Sequence, residues 1–406
     1  MKKGKLLMQF TALVHTIVQH RPSGGKPNLD TAAFIRLLQD TMACTDTATV
    51  KRIIRFQHVS DYRRFIQQLS EVPSSSSPQK SIKQMPTIRG ISCRLPAEET
   101  LGRFSGRVWI EKDCKISVHA STQKSISVEK GIPWGVSQIK APLAWSTTTG
   151  HHIKVGVIDT GVDFNHPDLR QSLSRGINLL NRSILPYDDN GHGTHIAGTI
   201  AAANQLKGMI GVAPRSIISP VKAFDHNGSA FVSDIILGIE WCVRNRMNVI
   251  NMSFGMKTRS KALLGAVINA HNAGIIIVAS SGNDGKRRSV DYPARYPQTI
   301  SVGATTKLRR VAPFSNRGTY IDVYAPGDKI VSAWLQGKYH EMSGTSMATS
   351  HVSGAIALLL AMKPELTPTE IKNIIKRSIQ PLRGNKARRT IGELDVMRML
   401  QAVEKT

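Results

Sequence analysis

The segment HIKVGVIDTG, residues 152–161, carries Val155, Gly156, Val157 and Ile158 without a polar break and then stops on Asp159 and the turn-forming Gly161. A strand with one wet face alternates apolar and polar residues, whereas a strand covered on both faces of a parallel sheet is continuously apolar. Three further runs share this texture: MNVINMSFG (247–255), GIIIVASSG (274–282) and TISVGA (299–304). Helical stretches alternate with them, HIAGTIAAANQ (195–205), VSDIILGIEWCVRNR (232–246) and SKALLGAVINAHNA (260–273). Strands alternating with helices predict a doubly wound α/β domain with a mostly parallel sheet and helices on both faces. Its site should lie at the carboxyl ends of the strands.

The 406 residues leave room for a second, smaller unit, and 41% hydrophobic residues support sizeable cores. The net charge of +26 is spread along the chain: residues 1–130 hold 21 Lys+Arg against 10 Asp+Glu, and residues 131–406 hold 33 against 18. A nucleic-acid footprint is more often a local stripe, and neither a zinc-finger nor an RNP pattern is present, so no nucleic-acid partner is expected. Cysteines at 44, 93, 114 and 242 have no CxxC or metal-ligand spacing.

Residues 1–48 form a leader. Its start, MKKGKLLMQFTALVHTIVQHRP, reads either as a signal peptide or as an amphipathic helix over Leu6–Gln19, and its apolar stretch is too short to span a membrane. A second helix is expected from Asp30 to Met42. Residues 49–120 give strand (50–56), helix (59–70), strand (PTIRGISCRLP), short helix (AEETLGRFSG) and a final strand (RVWIEKDCKISVHA), the order of a small ferredoxin-like α+β module. A polar linker, 121–131, separates it from the α/β domain at 132–406.

Chemistry gathers after the strands. Asp159 ends one. DDNGHGTHIAGT (188–199) sets His192 between two glycines at the mouth of a helix, with His195 three residues on. A zinc-protease pair wants i, i+4 spacing and a neighbouring Glu, which is absent, so metal ligation by these histidines is not expected. EMSGTSMATSHVSGAIALLLAMK (341–363) places Ser346 where a strand-like approach turns into a long apolar helix. A serine hydroxyl needs an adjacent base to become a nucleophile, and the base needs an orienting acid.

VIDTGVDFNHPDL (157–169), NGHGTHIAGTIA (190–201), VINMSFG (249–255), VASSGND (278–284) and SGTSMATSHVSGAIALLL (343–360), in that order, resemble the subtilisin-like serine proteases, the subtilase family. IPWGVSQIKAP (132–142) resembles the start of the mature bacterial enzymes, and the 49–120 module more weakly resembles their inhibitory propeptide. The resemblance implies a serine endopeptidase acting through an acyl-enzyme, made as a zymogen whose propeptide inhibits it. Asp159, His192 and Ser346 would be the triad and Asn283 an oxyanion donor. Ser253, Phe254 and Gly255 would pair with substrate backbone, and Ser280, Ser281 and Gly282 would wall the primary pocket. Polypeptides would be its substrates and a monomer its form.

Asp291 stands where many members carry a small residue at the pocket base, which points to basic P1 residues. Lys286, Arg287 and Arg288 in the same loop could instead neutralise it together with Asp284. Maturation is expected between Ala120 and Gly131, with Lys124 or Lys130 at P1. The resemblance also implies a structural Ca²⁺ on Asp168 and Gln205, and no organic cofactor. Gln205 replaces the usual Asn, and Lys130 stands where a Gln ligand is common, although lysine does not suit a hard cation. Ser350 takes a position usually held by proline. Two alternatives stand beside this reading: a catalytically silent subtilase acting as a protein-binding scaffold, and, for location, a cytoplasmic processing protease rather than a secreted one.

Overall fold

The computed structural model describes residues 29–43, 49–72, 81–96, 107–119, 121–125, 131–203, 208–383 and 391–404. They fall into two compact units, Met1–Cys114 with Ser260–Ala262, and Lys115–Arg259 with Leu263–Thr406.

In the first unit, helix α1 (Thr31–Ala43) starts where Asp30 Oδ1 accepts the Ala33 N–H at 3.0 Å. Strand β1 (Thr49–Phe56) leads to α2 (Val59–Glu71), whose Tyr62, Phe65 and Leu69 are buried on one face. Strands β2 (Lys83–Met85), β3 (Gly90–Pro96) and β4 (Val108–Lys112) complete an antiparallel sheet ordered β2-β3-β1-β4. Phe34, Leu38, Phe56 and Phe65 form the centre of its core. The strand expected from Pro86 begins only at Gly90, because Pro86–Ile88 winds a 3₁₀ turn ended by Arg89 at φ 52°. The helices expected over 6–19 and 97–106 lie outside the described residues.

The single strand expected over 107–120 is two. Asp113 is buried, accepts the Ser92 hydroxyl at 2.9 Å and pairs with Lys51 at 3.3 Å, which ends β4. Strand β5 (Lys115–Val118) then belongs to the second unit, which begins at Lys115.

The second unit holds β6 (Ser121–Ser125), β7 (Lys154–Asp159), β8 (Ile177–Asn178), α3 (His192–Ala201), β9 (Ile217–Lys222), β10 (Ser229–Phe231), α4 (Val232–Arg244), β11 (Val249–Met252) and β12 (Phe254–Gly255). Helix α5 (Lys261–Asn272), β13 (Ile276–Ser280), β14 (Thr299–Thr305), β15 (Val323–Pro326), β16 (Ile330–Ala333), β17 (Tyr339–Ser343) and α6 (Thr345–Met362) follow. The chain closes with α7 (Pro368–Arg377), β18 (Ile379–Pro381), β19 (Gly392–Leu394) and α8 (Val396–Glu404).

The nine-stranded sheet runs β18-β19-β15-β14-β13-β11-β7-β9-β8, with every pairing parallel except β18–β19. Strands β11, β13, β14 and β15 are buried at every residue, so both faces of the sheet are covered. This is the doubly wound α/β architecture expected from the apolar runs. Helix α6 packs on β11, β13, β14 and β15. It is long and apolar enough to cross a membrane, but 89% of it is buried in this core.

Candidate active site

The sheet reverses its winding direction at β7, and the residues singled out in the sequence follow the carboxyl ends of β7, β11 and β13. Asp159 closes β7, fully buried. Its Oδ1 accepts the Thr160 N–H at 2.8 Å and lies 2.7 Å from His192 Nδ1. A carboxylate there accepts from Nδ1, so in the neutral ring Nε2 is the free acceptor, and it is buried with no hydrogen bond.

His192 opens α3, and the glycines around it are spatial necessities. Gly191 sits at φ +105°, and a Cβ there would stand 2.3 Å from the Trp334 ring; one on Gly193 would stand 2.2 Å from the Gly161 carbonyl. Asp188, which sequence reading passed over, holds this turn in place. Its Oδ1 accepts from Thr160 Oγ1 (2.8 Å), Asn190 N–H (3.0 Å) and Gly191 N–H (2.9 Å), and its Oδ2 from the N–H and hydroxyl of Thr194 (2.9 and 2.6 Å). The helix start is thereby tied to the end of β7. An acid just before a helix is the available signal, and its link to Thr160 is tertiary.

His195 has a different task. Its Nε2 faces the carbonyls of Ile330 (3.0 Å) and His340 (3.1 Å), and burial pushes its pKa down to about 3. It is a neutral donor in the core. His351, likewise buried and pushed down to about 4, bonds the Met347 carbonyl of its own helix through Nδ1. Ser350 is the sixth residue of α6, beyond the first turn, where its hydroxyl bonds the Met347 carbonyl.

Ser346 is the second residue of α6, where backbone N–H groups lack helical partners. Its Oγ hydrogen-bonds the carbonyls of His119 (2.7 Å) and Ser253 (2.8 Å), and it makes no hydrogen bond to His192 in this structure. Asn283 is oriented by its neighbour. Its Oδ1 accepts the N–H and hydroxyl of Thr345 at 3.0 and 2.9 Å, so Nδ2 remains a buried donor without a partner.

The expected substrate-binding strand is occupied by the chain itself. β5 lies between β10 and β12, pairing Val118 with Phe254 and Ser117 with Gly255, and the His119 N–H donates to the Ser253 carbonyl at 3.1 Å. The His119 ring enters the pocket: Nδ1 lies 2.8 Å from Ser280 Oγ and Nε2 3.1 Å from Asp291 Oδ2. Gly282 donates its N–H to Thr345 Oγ1 at 3.2 Å, and Ser281 bonds Asn316 through its carbonyl at 3.1 Å.

The Lys286 charge helps to lower Asp284, but neither Lys286 nor Arg287 nor Arg288 ion-pairs with the two acids among the described residues; the cation that does lies outside this loop. It is Lys257, whose Nζ lies 2.6 Å from Asp291 Oδ1 and also bonds Asp284 Oδ2. Burial alone would lower the Lys257 ammonium, but its hydrogen bonds to Asp284 and Asp291 outweigh burial and raise it. The same bond lowers Asp284. Lys257 is 34 residues from Asp291, beyond the reach of a local reading.

Asp168 lies apart from these residues. Its Oδ2 accepts the Met209 N–H (2.9 Å) and the Tyr339 hydroxyl (2.7 Å), while Oδ1 is buried with no hydrogen bond. Burial and this contact push the Tyr339 phenol up, so it stays a donor. One hard oxygen is thus available to a cation, which fits calcium at a single ligand. Gln205 lies outside the described residues, and among those described no group of three His, Cys, Asp or Glu side chains converges.

A strand-end acid bonded to an imidazole and a serine at a helix start are the parts that a serine hydrolase uses. The chain belongs to the Subtilase family, whose model matches residues 150–393, and it is a serine endopeptidase acting on polypeptides. It is 46% identical over 249 residues to Subtilisin of Bacillus pumilus, covering 60% of this chain and 90% of the relative. Subtilisin E of Bacillus subtilis is 43% identical over 269 residues (65% and 70% of the two chains), and an Alkaline protease of Alkalihalobacillus alcalophilus 39% over 274 (67% and 71%).

Proposed function

We propose that this endopeptidase cuts peptide bonds through Ser346, His192 and Asp159, and that it is made as a zymogen held by its own N-terminal module. The observation that carries the reading is a peptide carbonyl, that of His119, seated 2.7 Å from Ser346 Oγ at the end of an extended segment. Ser346 Oγ attacks such a carbonyl carbon while His192 Nε2 takes its proton. Asp159 stabilises the imidazolium that forms. The Ser346 N–H and Asn283 Nδ2 receive the oxyanion, and His192 returns the proton to the departing amine. Water then hydrolyses the ester by the same proton path. An extended segment filling the strand slot blocks other peptides, which accounts for inhibition before maturation. Asp291 at the pocket base offers its Oδ2 to a P1 side chain that can donate a hydrogen bond, since Lys257 holds its other oxygen.

Labelling with a serine-directed sulfonyl fluoride tests the assignment: loss of activity with one label on Ser346 is expected, and a label elsewhere overturns it. Asn283→Leu should lower kcat about 10²–10³-fold with little change in KM, the loss established for the matching donor in subtilisin. A rise in KM with kcat unchanged would assign Asn283 to ground-state binding.

Asp168 Oδ1, with Gln205 as the second ligand that the resemblance implies, would hold a structural Ca²⁺. Chelation with EDTA is then expected to lower the unfolding midpoint by about 5 °C or more, restored by Ca²⁺ and absent in Asp168→Asn. An unchanged midpoint removes calcium from the account.

A further inference from the structure

We infer that the primary pocket of this protease is built for a histidine side chain, and that the zymogen is cut at the bond between His119 and Ala120. The inference rests on the triad reading above and names the substrate class of that site.

Both nitrogens of the His119 ring are engaged, Nδ1 by Ser280 Oγ at 2.8 Å and Nε2 by Asp291 Oδ2 at 3.1 Å. The pair accepts either charge state. A neutral ring with the proton on Nε2 donates to Asp291 and accepts from the Ser280 hydroxyl; an imidazolium donates to both. Asp291 cannot serve a second cation as freely, because Lys257 already holds its other oxygen at 2.6 Å. Depth argues the same way. Gly255 leaves the ring its space, since a Cβ there would stand 2.3 Å from His119 Cε1 and 2.8 Å from Asp291 Cβ. A lysine or arginine is longer than imidazole and would have to displace the carboxylate or Lys257. A phenylalanine or leucine would leave Asp291 Oδ2, on a side chain 4% exposed, without a donor.

The backbone is in register for the cut. Val118 and Ser117 pair with Phe254 and Gly255, Ile116 is buried four positions upstream of the bond, and the His119 N–H donates to the Ser253 carbonyl. The position of a Cβ on Gly344 would lie 2.5 Å from the His119 carbonyl oxygen and 3.2 Å from Asn283 Nδ2, so oxygen and amide donor converge on one face of Gly344. Beyond the bond, β6 pairs with β17, with Lys124 opposite Glu341. Lys124, an expected P1 residue, is therefore five residues past the seated carbonyl. In the reaction Ser346 Oγ bonds the His119 carbonyl carbon and its proton passes to His192. The bond to the Ala120 nitrogen breaks as that nitrogen takes the proton. Water then releases the His119 carboxylate and restores the Ser346 hydroxyl.

Two measurements on the full-length chain as expressed test this. N-terminal sequencing of the processed wild type should read Ala120 first; Ser125 or Gly131, the products of cutting after Lys124 or Lys130, would overturn the cut site. Against Lys-Ile-Ser-Val-X p-nitroanilides, kcat/KM should be at least about tenfold higher for X = His than for Phe, Leu or Arg. Asp291→Asn should shrink the His-to-Phe ratio. A wild type that hydrolyses denatured casein yet prefers Phe, Leu or Arg overturns the histidine pocket and leaves the triad intact. Failure on casein and on every peptide overturns the triad reading and this inference with it.

Discussion

Ser346→Ala is expected to lower peptide hydrolysis about 10⁶-fold, the scale established for loss of the serine in subtilisin, and to leave the chain at full length. The expectation follows from where the hydroxyl sits. Ser346 Oγ meets a peptide carbonyl at 2.7 Å, and its position at the start of α6 places an unpaired N–H beside the oxygen that becomes charged. Removing one atom abolishes the acyl-enzyme but leaves the amide donor of Asn283 and the strand slot in place, so residual rate above water should persist. The variant should fold as the wild type does, which its thermal unfolding midpoint checks. Accumulation of the 406-residue precursor, seen by mass spectrometry, ties maturation to the same hydroxyl. A Ser346→Ala chain that still processes itself would show that another protease makes the cut.

The second large effect is expected of Asp159→Asn, about 10⁴-fold in kcat with KM little altered. In the native site Oδ1 accepts from both Thr160 and His192, and Oδ2 is buried without a hydrogen bond. An amide in this place must either bury its NH₂ with no acceptor or turn it toward His192. Turning forces the imidazole proton from Nδ1 to Nε2, and the base toward Ser346 is lost. In either case the negative charge that stabilises the imidazolium is gone. Single-turnover kinetics on a p-nitroanilide separate this chemical loss from binding, and a fall below about 100-fold would reduce Asp159 to a structural acceptor.

The parallel sheet was legible because its evidence is local. A run such as Val155–Ile158 is apolar at every residue only if both faces are covered, and the strand carries that fact within itself. Asp159 and Ser346 were legible for a related reason, since each marks a strand end or helix start where the chain changes direction. Asp188 was missed, although it stands in the same stretch as His192, because its hydrogen bond to Thr160 Oγ1 spans 28 residues and has no local signature. The RVWIEKDCKISVHA stretch misled in the opposite way. Its β-rich pattern is real, but Asp113 is held by Ser92 and Lys51, so the two halves pair in different sheets.

Charge pairing in the primary pocket went the same way. Lys286, Arg287 and Arg288 are neighbours of Asp284 and Asp291 along the chain, but the carboxylates turn to Lys257. A lysine stem reaches about 6 Å and finds its acid in space rather than in sequence.

The amino-acid order by itself determined the α/β class and the family and singled out Asp159, His192, Ser346 and Asn283 as candidates, because apolar periodicity, turn glycines and helix starts are written within a few residues. Only the tertiary structure decided which peptide meets the serine, which cation faces Asp291 and which acid ties the turn before His192 to the end of β7. Those are contacts that a side chain makes with a group 28 to 227 residues away, and their energies depend on distance and burial, which no local pattern encodes.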